Sequence, residues 1–285
     1  MAGQVPPYAV RPPAALLELF EVTSPEFVTE TAIARVWRVR RGRGLAALKV
    51  WHDPGMANEA GGVEYLSIRR QHGAVRLFAR AEGAVLMEWL DGPSLGDLVR
   101  AGRDGEATGL LAQVASRLWR QPTVWPGARV VSEEDWCRAL FALEFGPALG
   151  AEDRAAVERA RGLMRRLMEG AGDHIALHGD LHHDNVKDGP RGWTAFDAKG
   201  IVGPRAFDLA NAFRNPKGAE ALIADPARAR ALAAVFAPAA GVSEAEMLGW
   251  AAAKVALSIS WRAQGRLDAD GELGLLRMFL ELAGA

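Results

Sequence analysis

The stretch His178-Gly-Asp180-Leu-His-His-Asp-Asn185 places an acid two residues after a histidine and an amide five residues after that acid. A second acid, Asp197, closes the apolar-flanked run Trp193-Thr-Ala-Phe-Asp197, and far upstream Lys49 follows the apolar run Leu45-Ala-Ala-Leu48. These are the parts that phosphoryl transfer needs. One carboxylate meets the attacking hydroxyl, a pair of oxygens holds Mg2+, and a cation grips the nucleotide phosphates. Taken singly, each residue has a plainer reading. Asp180 alone is a loop aspartate capping backbone donors, and Asn185 is a turn residue. Asp197 alone ends a strand, and a strand-end lysine such as Lys49 ordinarily faces solvent. It is their joint occurrence that points to chemistry. His182, His183 and Asp184 add further ligand types and admit a rival, a metal-dependent hydrolase, in which Asn185 has no role.

The elements that must position these residues fall into two groups. Residues 1–24 read as a Pro-rich arm (Pro6, Pro7, Pro12, Pro13) followed by a short apolar helix. Strands are predicted around Phe27 and Val28, over residues 36–39, which alternate apolar and charged side chains, and over residues 45–51. Arg40-Arg-Gly-Arg-Gly44 makes the turn between the last two. A helix follows over residues 58–71, weakened by the pair Gly61-Gly62, then two strands over residues 74–77 and 83–87. Glu88-Trp-Leu-Asp-Gly-Pro93 is the expected boundary, dividing a lobe of residues 1–90 from one of residues 91–285. Beyond it, helical periodicity appears over residues 106–120, 132–145, 151–170 and 243–264. Ser243-Glu-Ala-Glu246 is a capping-box pattern at the start of the last. Short strands are expected only at residues 175–177 and 193–196.

Composition narrows the class. The chain has 285 residues, 49% of them hydrophobic, enough for one or two cores. With 34 basic and 35 acidic residues the formal charge is −1, which gives no electrostatic reason to expect nucleic acid or an anionic membrane as partner. A single cysteine, Cys137, excludes an internal disulfide framework. No secretory signal pattern and no bilayer-length apolar run is visible, so the expectation is a cytoplasmic protein, monomeric or weakly dimeric.

The pattern H-x-D-x-x-x-x-N is a kinase catalytic-loop signature. Leu177-His-Gly-Asp-Leu-His-His-Asp-Asn-Val186 resembles that loop as it stands in the aminoglycoside phosphotransferase family, within the protein-kinase-like superfamily. The closer resemblance is to the streptomycin 6-kinase and hydroxyurea-resistance branch. Trp193-Thr-Ala-Phe-Asp-Ala-Lys-Gly-Ile-Val-Gly203 is similar to the metal-binding segment of that branch, usually D-P-K-G. Phe207-Asp208-Leu-Ala and Arg214-Asn-Pro216 extend the match. The chain departs from the pattern at Ala198, at Pro204-Arg205 and at Lys187.

The resemblance implies an α+β, protein-kinase-like bilobal fold, with a small β-rich N-lobe, a mainly helical C-lobe and ATP between them. It implies transfer of the γ-phosphoryl group to a small-molecule hydroxyl, on a streptomycin-like aminoglycoside or hydroxyurea-type antibiotic. A metabolite alcohol is equally compatible, and a nucleotide-binding pseudoenzyme would keep the same fold. Asp180 would be the catalytic base, and Asn185 and Asp197 the Mg2+ ligands. His178 and Asp208 would brace the loop. Lys49 would contact the phosphates, with Glu59 rather than Glu64 as its helix partner. No glycine-rich phosphate loop is present, so backbone amides and the hydroxyls of Thr29 or Thr31 would cover the phosphates. Backbone groups of Glu88 and Leu90 would meet adenine, with Met87 behind it. Trp261 would face the acceptor, while Trp119, Trp125, Trp136 and Trp250 read as core or groove wall.

Overall fold

The computed structural model describes residues 11–69, 72–120, 131–172 and 174–285. The expected arm at Pro6 and Pro7, the tail of the residue 58–71 helix and Trp125 lie outside them. The described chain begins with helix α1 (Ala14–Leu19) and strands β1 (Thr23–Glu30), β2 (Ala34–Arg41) and β3 (Gly44–Trp51). A 3-10 turn (Ala57–Glu59) leads into α2 (Ala60–Arg69), followed by β4 (Leu77–Ala81) and β5 (Ala84–Glu88). The strands form one antiparallel sheet in the order β1-β2-β3-β5-β4.

Strand periodicity decides what each face of this sheet does. Trp37, Val39, Ala46, Leu48, Ala84 and Leu86 form a core with Phe20 and Val22. The alternate residues Ala47, Lys49 and Trp51 point the other way, into a cleft. Lys49 pairs with Val36 of β2 and Val85 of β5, so it sits mid-sheet rather than at a solvated strand end.

The fourth strand lies further along than expected, at Leu77–Ala81 rather than residues 74–77. Ala74 and Val75 are buried, but by the segment around Ala195, not by the sheet. The Val75 amide donates to the Ala195 carbonyl at 2.8 Å, and the Ala195 amide to the Gly73 carbonyl at 2.7 Å. The apolar run marked a crossing between the two halves of the chain, and the true edge strand, which includes exposed Phe78, looks less apolar.

The rest is mainly helical: α3 (Leu95–Arg100), α4 (Asp104–Trp119), α5 (Glu133–Ala142), α6 (Ala151–Glu169), α7 (Arg205–Ala210), α8 (Glu220–Ile223), α9 (Pro226–Ala240), α10 (Glu244–Ala263) and α11 (Leu273–Leu282). Short strands also occur where none was expected. β6 (Val131–Ser132) and β11 (Ile201–Gly203) join β8 (Ile175–Leu177) in one sheet. β7 (Glu144–Phe145) pairs with β12 (Arg266–Leu267). β9 (Val186–Lys187) and β10 (Thr194–Ala195) form the hairpin that leads to Asp197. Helix α10 is the central post: fourteen of its residues, from Met247 to Ser260, are buried. No single described helix is long and apolar enough to cross a membrane.

The glycine pair in α2 has a steric reason. A Cβ on Gly62 would lie 1.7 Å from the Ala198 carbonyl oxygen, and one on Gly200 would lie 2.2 Å from the Gly61 carbonyl oxygen. The helix and the segment after Asp197 touch backbone to backbone. The loss in helix propensity is the condition for that approach.

Candidate active site

The catalytic-loop residues are placed by backbone contacts that begin at β8. His178 is fully buried. Its Nδ1 accepts the Asp180 amide at 3.3 Å, so Nε2 carries the proton and donates to the Phe196 carbonyl at 2.9 Å. Burial pulls the imidazole below its ordinary pKa, against the charges of Asp208 and Asp180. The neutral ring thereby ties the loop to the residue before Asp197.

Asp208, on α7, braces the same loop from behind. Its carboxylate accepts the Gly179 amide at 2.8 Å, the His178 amide at 3.2 Å and Trp119 Nε1 at 3.1 Å. Gly179 has φ +81, which a side chain would strain, and that conformation turns Asp180 outward. Burial nevertheless pushes the Asp208 carboxyl above its ordinary value.

Asp180 faces a cavity whose lining also includes Asn211, Lys199, Arg214, Lys254, Trp136 and Trp261. Its Oδ1 accepts Asn211 Nδ2 at 2.6 Å. Asn185 Nδ2 donates to the Asp180 carbonyl at 2.9 Å and lies 3.4 Å from Oδ2. These neutral donors fix the carboxylate without neutralising it. Because Asn185 spends its nitrogen on Asp180, its amide oxygen is the atom left to face a cation.

Asp197 adopts φ +61, a left-handed conformation unusual for a residue with a side chain. Its Oδ1 meets Lys49 Nζ at 2.5 Å. Burial alone would raise this carboxyl, but Lys49 first and Lys199 second outweigh it and hold the group below its ordinary value. Lys49 also meets Glu59 Oε2 at 2.5 Å, and Glu59 accepts Trp51 Nε1 at 2.8 Å. Glu64 is elsewhere, paired with Arg80. The two carboxylates overcome burial and raise the Lys49 ammonium above its ordinary value. An ammonium held between two carboxylates beside a cleft suits phosphate oxygens.

Lys49, Glu59 and Asp197 line one cleft with Thr29, Thr31, Met87, Glu88 and Leu90. Their availability differs. The Thr31 hydroxyl closes its own hairpin, donating to the Ala34 carbonyl and accepting the Ala34 amide, each at 3.1 Å. The Glu88 amide donates to the Arg76 carbonyl at 2.9 Å, and its side chain pairs with Arg191. Leu90 is buried against the helical core.

The dense histidine run does not assemble into a ligand cage. His178 uses both ring nitrogens on backbone groups. His183 is buried with neither nitrogen bonded and lines neither cavity. His182 Nδ1 accepts the Asp184 amide at 3.3 Å. That arrangement removes the geometric basis of the hydrolase reading.

A family model described as aminoglycoside/hydroxyurea antibiotic resistance kinase matches residues 20–265. The chain belongs to this family. It is a phosphotransferase with a hydroxyl acceptor, of the protein-kinase-like fold expected from the loop. The streptomycin 3''-kinase of Klebsiella pneumoniae is 36% identical over 228 residues, which span 78% of this chain and 82% of that protein. Among solved structures, a thermostable variant of aminoglycoside phosphotransferase APH(4)-Ia, in ternary complex with ADP and hygromycin B, superposes with a TM-score of 0.62 at 16% identity, covering 95% of this chain and 98% of that one. Choline kinase LicA of Streptococcus pneumoniae superposes with a TM-score of 0.61 at 15% identity, covering 95% and 96%. Likeness at this identity speaks to the fold alone.

Several residues of the candidate site were not assigned a role from sequence. Asn211 lies three residues past Asp208 and holds Asp180. Lys199 lies two residues past Asp197 and donates to Glu59 Oε1 at 2.6 Å. Lys254 is a lone charge in the small and apolar stretch Ala251-Ala-Ala-Lys-Val-Ala-Leu257, and that isolation was a visible signal.

Proposed function

We propose that this kinase transfers the γ-phosphoryl group of ATP to a hydroxyl of a streptomycin-like aminoglycoside. The observation that carries the reading is Asp180. It sits on the wall of a cavity of about 530 Å3 with both oxygens oriented by neutral amides, within the usual size range for small-molecule sites, about 300–1,000 Å3. Asp180 orients the acceptor O–H and receives its proton as the new O–P bond forms. The bond from the γ-phosphorus to the ADP oxygen breaks, and ADP leaves.

The donor set fits Mg2+: the free amide oxygen of Asn185 and the Asp197 oxygen not held by Lys49 are both hard oxygens. Bound there, the ion would neutralise charge on the phosphates. Lys49, steadied by Glu59, would grip phosphate oxygens. Thr29 is the hydroxyl left to cover them, and the Glu88 carbonyl and Leu90 backbone would meet adenine beside Met87. We place the lobe division at residues 90 and 91 and the protein in the cytoplasm.

The identity to a streptomycin kinase favours that acceptor over a metabolite alcohol, and the intact set Lys49, Asp180, Asn185 and Asp197 favours catalysis over a pseudoenzyme. The test is incubation with ATP and Mg2+ against streptomycin, other aminoglycosides, hydroxyurea and simple polyols, read by mass. A phosphorylated streptomycin supports the reading. Phosphorylation of a polyol alone would replace the acceptor, and nucleotide binding with no product from any acceptor would favour the pseudoenzyme. The position modified distinguishes 3''- from 6-phosphorylation.

A further inference from the structure

Lys254 is 2% exposed, in the middle of α10. Its Nζ contacts the Gly179 carbonyl at 3.4 Å, a long hydrogen bond. It also lies 4.6 Å from the ring centroid of Phe207 and 5.4 Å from that of Trp261. Among the described residues it makes no ion pair. The nearby carboxylates are engaged by other donors: Asp208 by two amides and an indole, Asp180 by Asn211 and Asn185.

An ammonium buried without a carboxylate is unfavourable, and replacing such a group with an apolar side chain commonly stabilises a fold. Burial accordingly pulls Lys254 below its ordinary pKa, against the charge of Asp180. The group has three N–H donors, and one long contact occupies at most one of them. The residue lines the same cavity as Asp180. A cation held by one long hydrogen bond and two aromatic rings, with no carboxylate partner and N–H donors to spare, that borders the same cavity as Asp180 is placed for a ligand.

We propose that Lys254 is an acceptor-binding residue, whose ammonium donates to a hydroxyl or carbonyl oxygen next to the hydroxyl that Asp180 activates. The inference rests on the phosphotransferase reading and narrows its substrate class. An acceptor with an oxygen at that position supplies a lone pair. One with an ammonium or guanidinium there meets a like charge inside a poorly solvated pocket and is rejected. On a polyfunctional aminoglycoside, the attacked hydroxyl is therefore one flanked by oxygen on at least one side. Trp261, edge-to-face with Trp136 at 5.4 Å, walls this position.

The test compares wild type, Lys254→Met and Lys254→Gln in two measurements. Without ligand, Lys254→Met should melt higher, by about 2–10 °C, because a buried unpaired charge is gone. A lower melting temperature would show that Lys254 serves the loop rather than a ligand, and would overturn the inference. With streptomycin, or whichever of streptomycin, hydroxyurea and inositol the wild type phosphorylates, Lys254→Met should raise the acceptor KM about 10- to 100-fold, the worth of one charge-assisted hydrogen bond. The KM for ATP should stay within about twofold, and Lys254→Gln, a neutral donor, should fall between. An unchanged acceptor KM sinks the inference while leaving the kinase assignment standing. A wild type that binds ATP yet phosphorylates none of the three sinks the acceptor reading and the inference with it.

Discussion

Lys199 donates to Glu59 through Oε1, the carboxylate oxygen opposite the one that holds Lys49. Glu59 thus joins a cation of the proposed nucleotide cleft to a cation of the proposed acceptor cavity, since Lys49 lines the first and Lys199 the second. In the proposed reaction the phosphoryl group passes between these two spaces, and a cation there would oppose the charge that develops in transit. Lys199→Met should lower kcat about 10- to 1,000-fold with the KM for ATP within a few fold, as expected for a group that acts during transfer. Steady-state kinetics with both substrates varied would check it, and a raised KM for ATP at full kcat would contradict it.

Lys49→Met removes the point charge at the phosphates. The KM for ATP should rise about 10- to 100-fold, from the usual strength of charge-assisted hydrogen bonds. Circular dichroism should show the fold retained. Wild-type values of kcat and KM for this variant would place the phosphates elsewhere.

Asp180→Asn keeps the size of the side chain and loses its basicity. Turnover should fall by about two to four orders of magnitude, the usual worth of a positioned base. Nucleotide affinity by calorimetry should change only a few fold, because Asn185 and Asp197 remain. Loss of nucleotide binding together with turnover would assign Asp180 to the metal instead.

Removing the metal gives a test that needs no acceptor. ATP with Mg2+ should stabilise the fold by mass action, by about 2.7 kcal/mol at one hundred times Kd, and so raise the melting temperature. ATP with EDTA should raise it less. Equal shifts would count against Asn185 and Asp197 as ligands.

The Glu88–Arg191 pair, which ties the end of β5 to the segment before β10, makes a pH prediction. Burial raises the Glu88 carboxyl, but the hydrogen bonds from Arg191 and the Arg76 amide outweigh it and hold the group below its ordinary 4.5. A carboxyl depressed in the folded state contributes stability above its unfolded pKa and loses it as pH falls through the folded value. The melting temperature of wild type should therefore exceed that of Glu88→Gln at pH 7. The gap should narrow as the pH drops below 4.5. A gap independent of pH would mean that the pair acts through packing alone.

How far the sequence was legible depends on what each residue's neighbours in sequence reveal. The loop from His178 to Asn185 and the two acids beyond it are close along the chain, and their spacing carried the chemistry directly. Lys49 was legible as a strand residue, but that it faces the cleft follows from register with Val36 and Val85, which no single strand announces. Helices α9 and α11 went unassigned. α9 is an Ala-rich segment containing Pro238 and shows no strong apolar stripe, whereas α11 is a ten-residue run whose apolar face was there to be read. Asn211, Lys199 and Lys254 could not be assigned roles because their partners are 31, 140 and 75 residues away. The glycine pair Gly61-Gly62 misled in a useful way. It counted against a helix by propensity, whereas the reason for it lay in a distant carbonyl.

That contact between Gly62 and the Ala198 carbonyl makes a distant position answerable for the cleft. Any side chain at Gly62 would have to push the helix that begins beside Glu59 away from the segment that carries Asp197. One added methyl group, far from Asp180, would thereby disturb the carboxylate that steadies Lys49 and the oxygen proposed for the metal at the same time.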